Sequence, residues 1–128
     1  MPNKKSILLV DDDSRVLDML EEALAHPELA LTKSHDALQA FITARNLSPL
    51  LIICDIRLPG YGDGTKMLKL MREDLRFPRV PFLFISGMEQ KKALAMLPTN
   101  DPSIGLMSKP LDLMKLRDYV WKLAGVAA

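Results

Sequence analysis

At 128 residues the chain has the size of one domain, and its 48% hydrophobic and 26% charged side chains match a globular protein that can bury a core. Seventeen basic against sixteen acidic side chains leave a net charge of +1, which excludes a protein that holds nucleic acid by neutralising phosphates. One cysteine excludes an internal disulfide, no Cys/His cluster has zinc spacing, and no window suits a signal peptide or a membrane span, so a cytoplasmic location is expected.

The first apolar run, Ile7 to Val10, stops in three carboxylates, Asp11, Asp12 and Asp13. Val16, Leu17, Leu20, Ala23 and Leu24 then recur at helical spacing, capped by Asp13 or Ser14 and ended by Pro27. Leu29 to Thr32 reads as a short strand, and Ala37 to Arg45 as a helix with Ala37, Leu38, Phe41 and Ile42 inward. Leu51-Ile-Ile-Cys-Asp55 is an apolar run closed by a carboxylate and followed by Pro59 and Gly60, the pattern of a strand buried on both faces. A glycine-rich turn from Gly60 to Gly64 precedes a helix marked by Met67, Leu68, Leu70 and Met71. Pro81 to Ile85 gives a fourth strand, closed by Ser86-Gly87, and Glu89 to Leu97 a short fourth helix cut off by Pro98. Ile104 to Met107 is the fifth strand, left through Ser108-Lys109-Pro110. Leu113, Leu116, Val120 and Leu123 line the last helix.

Strand and helix alternate throughout with short linkers, which implies a parallel sheet with helices on both faces and one domain over 1–128. All strands of such a sheet end on one edge, where open α/β folds keep their ligand crevice. Asp11 and Asp12, Asp55, Ser86 and Lys109 each stand at a strand end, so they converge. Carboxylates about 4 Å apart repel by about 4 kcal/mol at an effective dielectric near 20, so they raise one another's pKa or hold a cation. All-oxygen donors suit a hard ion, Mg²⁺ above all. Lys109 offers a fixed cation to a phosphoryl oxygen, Ser86 a hydrogen bond, and Asp55 a carboxylate nucleophile. The chemistry implied is phosphoryl transfer.

Leu8-Leu-Val-Asp11-Asp12, Asp55-Ile-Arg-Leu-Pro-Gly60, Ile85-Ser86-Gly87 and Ser108-Lys109-Pro110 resemble the signature of response-regulator receiver domains, in order and over nearly the whole chain. The resemblance implies a flavodoxin-like, doubly wound sheet of strand order 2-1-3-4-5, an order for which a chemotaxis member of this family is a standard example. It also implies that Asp55 accepts a phosphoryl group from a sensor histidine kinase or phosphotransfer protein. Asp12 would bind Mg²⁺ directly and Asp11 through water, with Asp55 and the Arg57 backbone carbonyl completing the protein ligands. Lys109 would pair with the phosphoryl group, Ser86 would move toward it, and Lys109-Pro110 would be cis. Such a domain is a signalling switch rather than an enzyme with turnover, and it passes its state to a downstream protein or an attached output domain. One position departs from the family pattern: Leu106 stands three residues before Lys109, where receivers usually carry Tyr or Phe.

Other readings fit less well. A haloacid-dehalogenase-like phosphatase needs Asp-x-Asp-x-Thr/Val, and Arg15 breaks that motif in Asp11-Asp12-Asp13-Ser14-Arg15. An FMN-binding flavodoxin needs a Ser/Thr/Gly-rich loop after the first strand, which is missing. A pseudo-receiver, never phosphorylated, would not require the full set of site residues. Cys54 reads as a small buried residue, and His26 and His35 lack companions for catalysis or metal binding. Lys66, Lys69, Arg72 and Arg76 share one helical side, a solvated face or a site for an acidic partner. Met114 and Trp121 lie seven apart beside the last helix's core stripe, marking either a core edge or a homodimer or partner patch.

Overall fold

Short apolar runs between turn formers become strands, and the amphipathic stretches between them become helices. The computed structural model describes residues 4–58, 63–77 and 79–127. Its elements are β1 (Lys5–Val10), α1 (Ser14–Leu24), β2 (Leu29–Ser34), α2 (Ala37–Leu47) and β3 (Leu51–Asp55), then α3 (Gly64–Glu73), β4 (Phe82–Ser86), α4 (Gln90–Ala95), β5 (Ile104–Ser108) and α5 (Leu113–Ala124). The strands form one parallel sheet in the order β2-β1-β3-β4-β5, as the resemblance implies.

Side chains alternate across each strand, so β1, β3 and β4 each feed two cores. Leu8, Val10, Ile52, Cys54, Phe82 and Phe84 pack toward Ala40 and Ala44 of α2, Met67, Leu68 and Met71 of α3, and Ala93 of α4. Ile7, Leu9, Leu51, Ile53, Leu83 and Ile85 pack toward Leu17, Leu20 and Leu24 of α1 and toward Leu116 and Val120 of α5. β3 and β4 are buried along their whole length, the burial expected for continuous apolar runs. Each fully buried Leu, Ile or Phe here contributes about 1.5–3 kcal/mol.

Four of the helices begin under an aspartate whose carboxylate accepts a backbone N–H of the first turn. Asp13 takes Arg15 N, Asp36 takes Gln39 N, Asp63 takes Thr65 N and Lys66 N, and Asp112 takes Met114 N and Lys115 N. Each such cap is worth about 1 kcal/mol. Asp13 is therefore a cap, and Ser14 is the first helical residue. α5 closes on Gly125, whose φ of 69° is the left-handed conformation that favours glycine.

Several expected faces are corrected. In α2, Leu38 and Ile42 are each 53% exposed, and the inward stripe is Ala37, Ala40, Phe41 and Ala44. Alanines let the helix lie close to the sheet, and the inward stripe is set by that close approach rather than by the largest apolar residues. Leu70 of α3 and Leu113 and Leu123 of α5 are likewise exposed, while Ala124 joins Leu116 and Val120 inside. β2 runs two residues past Thr32, because Lys33 and Ser34 still pair with Leu9 and Val10 of β1; the Lys33 side chain also meets Asp18 and Glu21 of α1 along this edge strand. α4 is shorter than expected and has no side-chain cap. Of the glycine-rich turn, residues 60–62 lie outside the described residues, and Asp63 and Gly64 belong to the start of α3.

The supposed solvated stripe on α3 is divided. Arg72 leans on the Phe82 ring, 5.5 Å from its centroid, and donates to Ser103 Oγ and Asp101 Oδ2. Arg79 donates to the same Asp101 oxygen at 2.8 Å. Burial favours protonation of Asp101, but the Ser103 hydrogen bonds and the two arginines outweigh it and hold its pKa below the ordinary value. This network ties α3 to the segments entering β4 and β5, at the sheet end away from Asp55. His26 also gains a structural role: its ring accepts the Glu28 N–H at Nδ1, bonds Ala127 O through Nε2 at 2.7 Å, and meets Trp121 edge-on.

Candidate functional site

β1, β3, β4 and β5 deliver their last polar residues to one edge, as parallel strands must. Asp11 and Asp55 are buried there, Asp12 is exposed, and one carboxylate oxygen from each lies within 4.8 Å of the others. Lys109, just past β5, donates from Nζ to Asp55 Oδ2 at 2.9 Å and to Asp11 Oδ2 at 3.4 Å. Its backbone N–H donates to the Ser86 carbonyl at 2.7 Å, which fixes the start of the lysine relative to β4. The Lys109-Pro110 peptide is cis.

The remaining oxygens are held by backbone turns. Asp13 N donates to Asp11 Oδ1 and Arg57 N donates to Asp55 Oδ1, both at 2.9 Å. Ser86 is buried, and its hydroxyl accepts Met88 N–H at 2.9 Å. A cavity of about 430 Å³ opens over this edge, lined by Asp55, Arg57, Ser86, Met88, Glu89, Lys92 and Lys109 among others. Glu89 and Lys92 are additions to the residues expected from sequence. The signal for them was available: a helix starting four residues after Ser86 must turn positions three apart toward the same crevice.

Electrostatics follow from burial. Desolvation pushes the Asp11 carboxyl up to about 6, with the Asp55 charge adding to the rise and the Asp13 N–H and Lys109 opposing it. Partial burial works against the Lys109 ammonium, but the hydrogen bond and charge of Asp55, then of Asp11, hold its pKa above the ordinary value. Burial, followed by the charges of Asp55, Asp11 and Asp63, pushes the Cys54 thiol up, so it stays protonated and inert. Its Sγ–H donates to the Asp55 carbonyl.

Among the described residues the three clustered carboxylates form ion pairs only with Lys109, which meets two of them, so the cluster carries excess negative charge that a cation would neutralise. The donors are all oxygen, the set that suits Mg²⁺. Asp11, Asp12 and Asp55 therefore fit such an ion.

Fold and site together define an α/β domain of the flavodoxin-like class with an acidic crevice at the carboxyl edge of its sheet. Residues 7–120 match the family model of the response regulator receiver domain, and the chain belongs to that family, the signalling domain of two-component systems. It is 31% identical over 116 residues to a response regulator receiver protein of Anaeromyxobacter sp., covering 89% of this chain and 43% of that one. It is 28% identical over 107 residues to the DNA-binding transcriptional regulator NtrC of Escherichia coli, covering 84% of this chain and 22% of that one. The chain thus spans less than half the length of either curated relative. Among solved structures, the signal receiver domain of an HD domain-containing protein from Pseudomonas fluorescens superposes with a TM-score of 0.81 at 25% identity, covering 96% of both chains. Among the described residues, no helix is long and apolar enough to cross a membrane.

Proposed function

We propose that residues 1–128 act as one phosphorylatable receiver, in which Asp55 takes a phosphoryl group from a phosphohistidine of a sensor kinase or phosphotransfer protein. A carboxylate oxygen of Asp55 attacks phosphorus as the phosphorus–nitrogen bond breaks, and the imidazole leaves with the electron pair and takes up a proton. The observation that carries this reading is the placement of Asp55: one oxygen is held by Arg57 N–H, the other by Lys109, and both lie beneath an open cavity.

Mg²⁺, when bound, would shield the incoming phosphoryl oxygens from the surrounding carboxylates. Asp12, exposed and free of Lys109, is the direct ligand in this reading, with Asp55 and the Arg57 carbonyl. Asp11, already engaged by Lys109 and Asp13 N–H, acts through water. Lys109 passes from Asp55 to a phosphoryl oxygen, and the Ser86 hydroxyl leaves Met88 N–H to bond another. These exchanges add charge and acceptors at a loop cluster and so change the affinity for a downstream protein or output domain.

Intact mass after incubation with acetyl phosphate and Mg²⁺ tests this. The expected result is one added phosphoryl group, absent without Mg²⁺ and absent in Asp55→Asn. A chain that gains no mass from acetyl phosphate or from a cognate phosphorylated kinase would instead be a fixed interaction module.

A further inference from the structure

The cavity over Asp55 has a cation on its wall that comes from a different element and is not yet committed. Lys92 of α4 lines it together with Asp55, Arg57, Ser86 and Lys109. Lys92 is exposed, and among the described residues it forms no ion pair. Lys91, beside it and also exposed, does not line the cavity. Adjacent positions on a helix point in different directions, so only one of the two lysines is aimed at Asp55.

α4 itself is held lightly. It spans six residues, its N-cap Glu89 makes no side-chain cap, and Ala93 is its one buried residue. An element with so few buried contacts shifts at low cost. Charge supplies a reason for it to shift. Lys109 is already engaged by Asp55 and Asp11, and a divalent cation would offset the charge that remains on the three carboxylates. Turning the Asp55 carboxylate into an acyl phosphate then adds further negative charge and acceptor oxygens. In a partly enclosed site that charge attracts a nearby cation more strongly than it would in water. Among the described residues the uncommitted cations of the lining are Arg57 and Lys92. Arg57 stands two residues after Asp55 and holds it through its own N–H, so it belongs to the same turn. Lys92 is the one that joins the site to another element.

Resting on the reading of Asp55 as phosphoacceptor, we propose that Lys92 is the second cation of the phosphorylated site: its ammonium pairs with a phosphoryl oxygen and draws α4 over the cavity. The same charge repels Glu89 on the same wall, so the helix tilts instead of moving as a whole. This route from Asp55 to α4 needs no aromatic ring at the position of Leu106.

Lysine labelling of the full chain tests the pairing directly. The chain is phosphorylated with phosphoramidate and Mg²⁺, freed of donor by rapid desalting, and given a brief pulse of an amine-acylating reagent before peptide mapping. Intact mass of the same sample gives the phosphoryl occupancy. Lys92 is expected to react about threefold or more slowly once Asp55 is phosphorylated, because a charge-assisted hydrogen bond occupies its amine, while Lys91 keeps its rate. Lys92→Gln is expected to gain the phosphoryl group yet lose the slowing of amide exchange over 90–97, and Lys92→Arg to retain that slowing. In a chain that carries the phosphoryl group, an unchanged Lys92 rate, equal slowing at both lysines, or wild-type exchange in Lys92→Gln would overturn the pairing and leave Asp55 as phosphoacceptor. A wild type that takes up no phosphoryl group from any donor would overturn both readings.

Discussion

Asp11 shows how far a residue's role is set by its surroundings. Its ordinary value is 3.8, and burial moves it to about 6 while its neighbour Asp12 remains exposed. Because the folded value lies above the unfolded one, the folded chain holds the extra proton between these limits. The contribution to stability is present at low pH and is lost as pH rises through about 6. A bound cation would reverse that preference, so Mg²⁺ binding near pH 6 should release a proton from Asp11. Carboxyl carbon NMR of the metal-free protein is expected to give a midpoint near 6 for Asp11, falling by at least about one unit with saturating Mg²⁺. A metal-free midpoint near 4 would contradict the account.

At the scale of an element, α3 depends on one missing side chain. A Cβ on Gly64 would lie 2.6 Å from the Asp55 carbonyl oxygen and 2.8 Å from Cys54 Sγ. Gly64 also donates its N–H to Ile56 O at 2.9 Å, so the first turn of α3 sits directly against the end of β3. Alanine is the better helix former by about 1 kcal/mol, yet overpacking against backbone costs about 1–3 kcal/mol and must also displace α3 or Asp55. Gly64→Ala is therefore expected to lose about 1–2 kcal/mol in urea unfolding and to slow phosphorylation of Asp55. Unchanged stability together with an unchanged rate would show that the contact relaxes freely.

At the scale of the molecule, Lys109 links β5 to β1 and β3 through Asp11 and Asp55, and to β4 through the Ser86 carbonyl. A change at Asp55 thus reaches the sheet edge between α4 and α5. Lys109→Ala is expected to accept a phosphoryl group still, more slowly, while losing the accompanying change in amide exchange over 86–97 and 104–108. A wild-type exchange change in that variant would remove Lys109 from the coupling. Leu106 is partly buried against the α4-side core in the place of the usual aromatic, so in the proposed reading the coupling is assigned to Ser86 and Lys109.

The sequence by itself determined the alternation of elements, the buried central strands and the residues that reach the crevice. Hydrophobic period and strand-end position are local properties, so Asp11, Asp12, Asp55, Ser86 and Lys109 were legible before any contact was known. Only the tertiary structure decided which face of an amphipathic helix is innermost. Leu38, Ile42 and Leu113 lost to Ala40, Ala44 and Ala124 because a helix's distance from the sheet depends on the packing of both partners. The Arg72–Asp101–Arg79 network was hidden for the same reason. It joins α3 to the segments that lead into β4 and β5, and a contact between elements has no period along the chain.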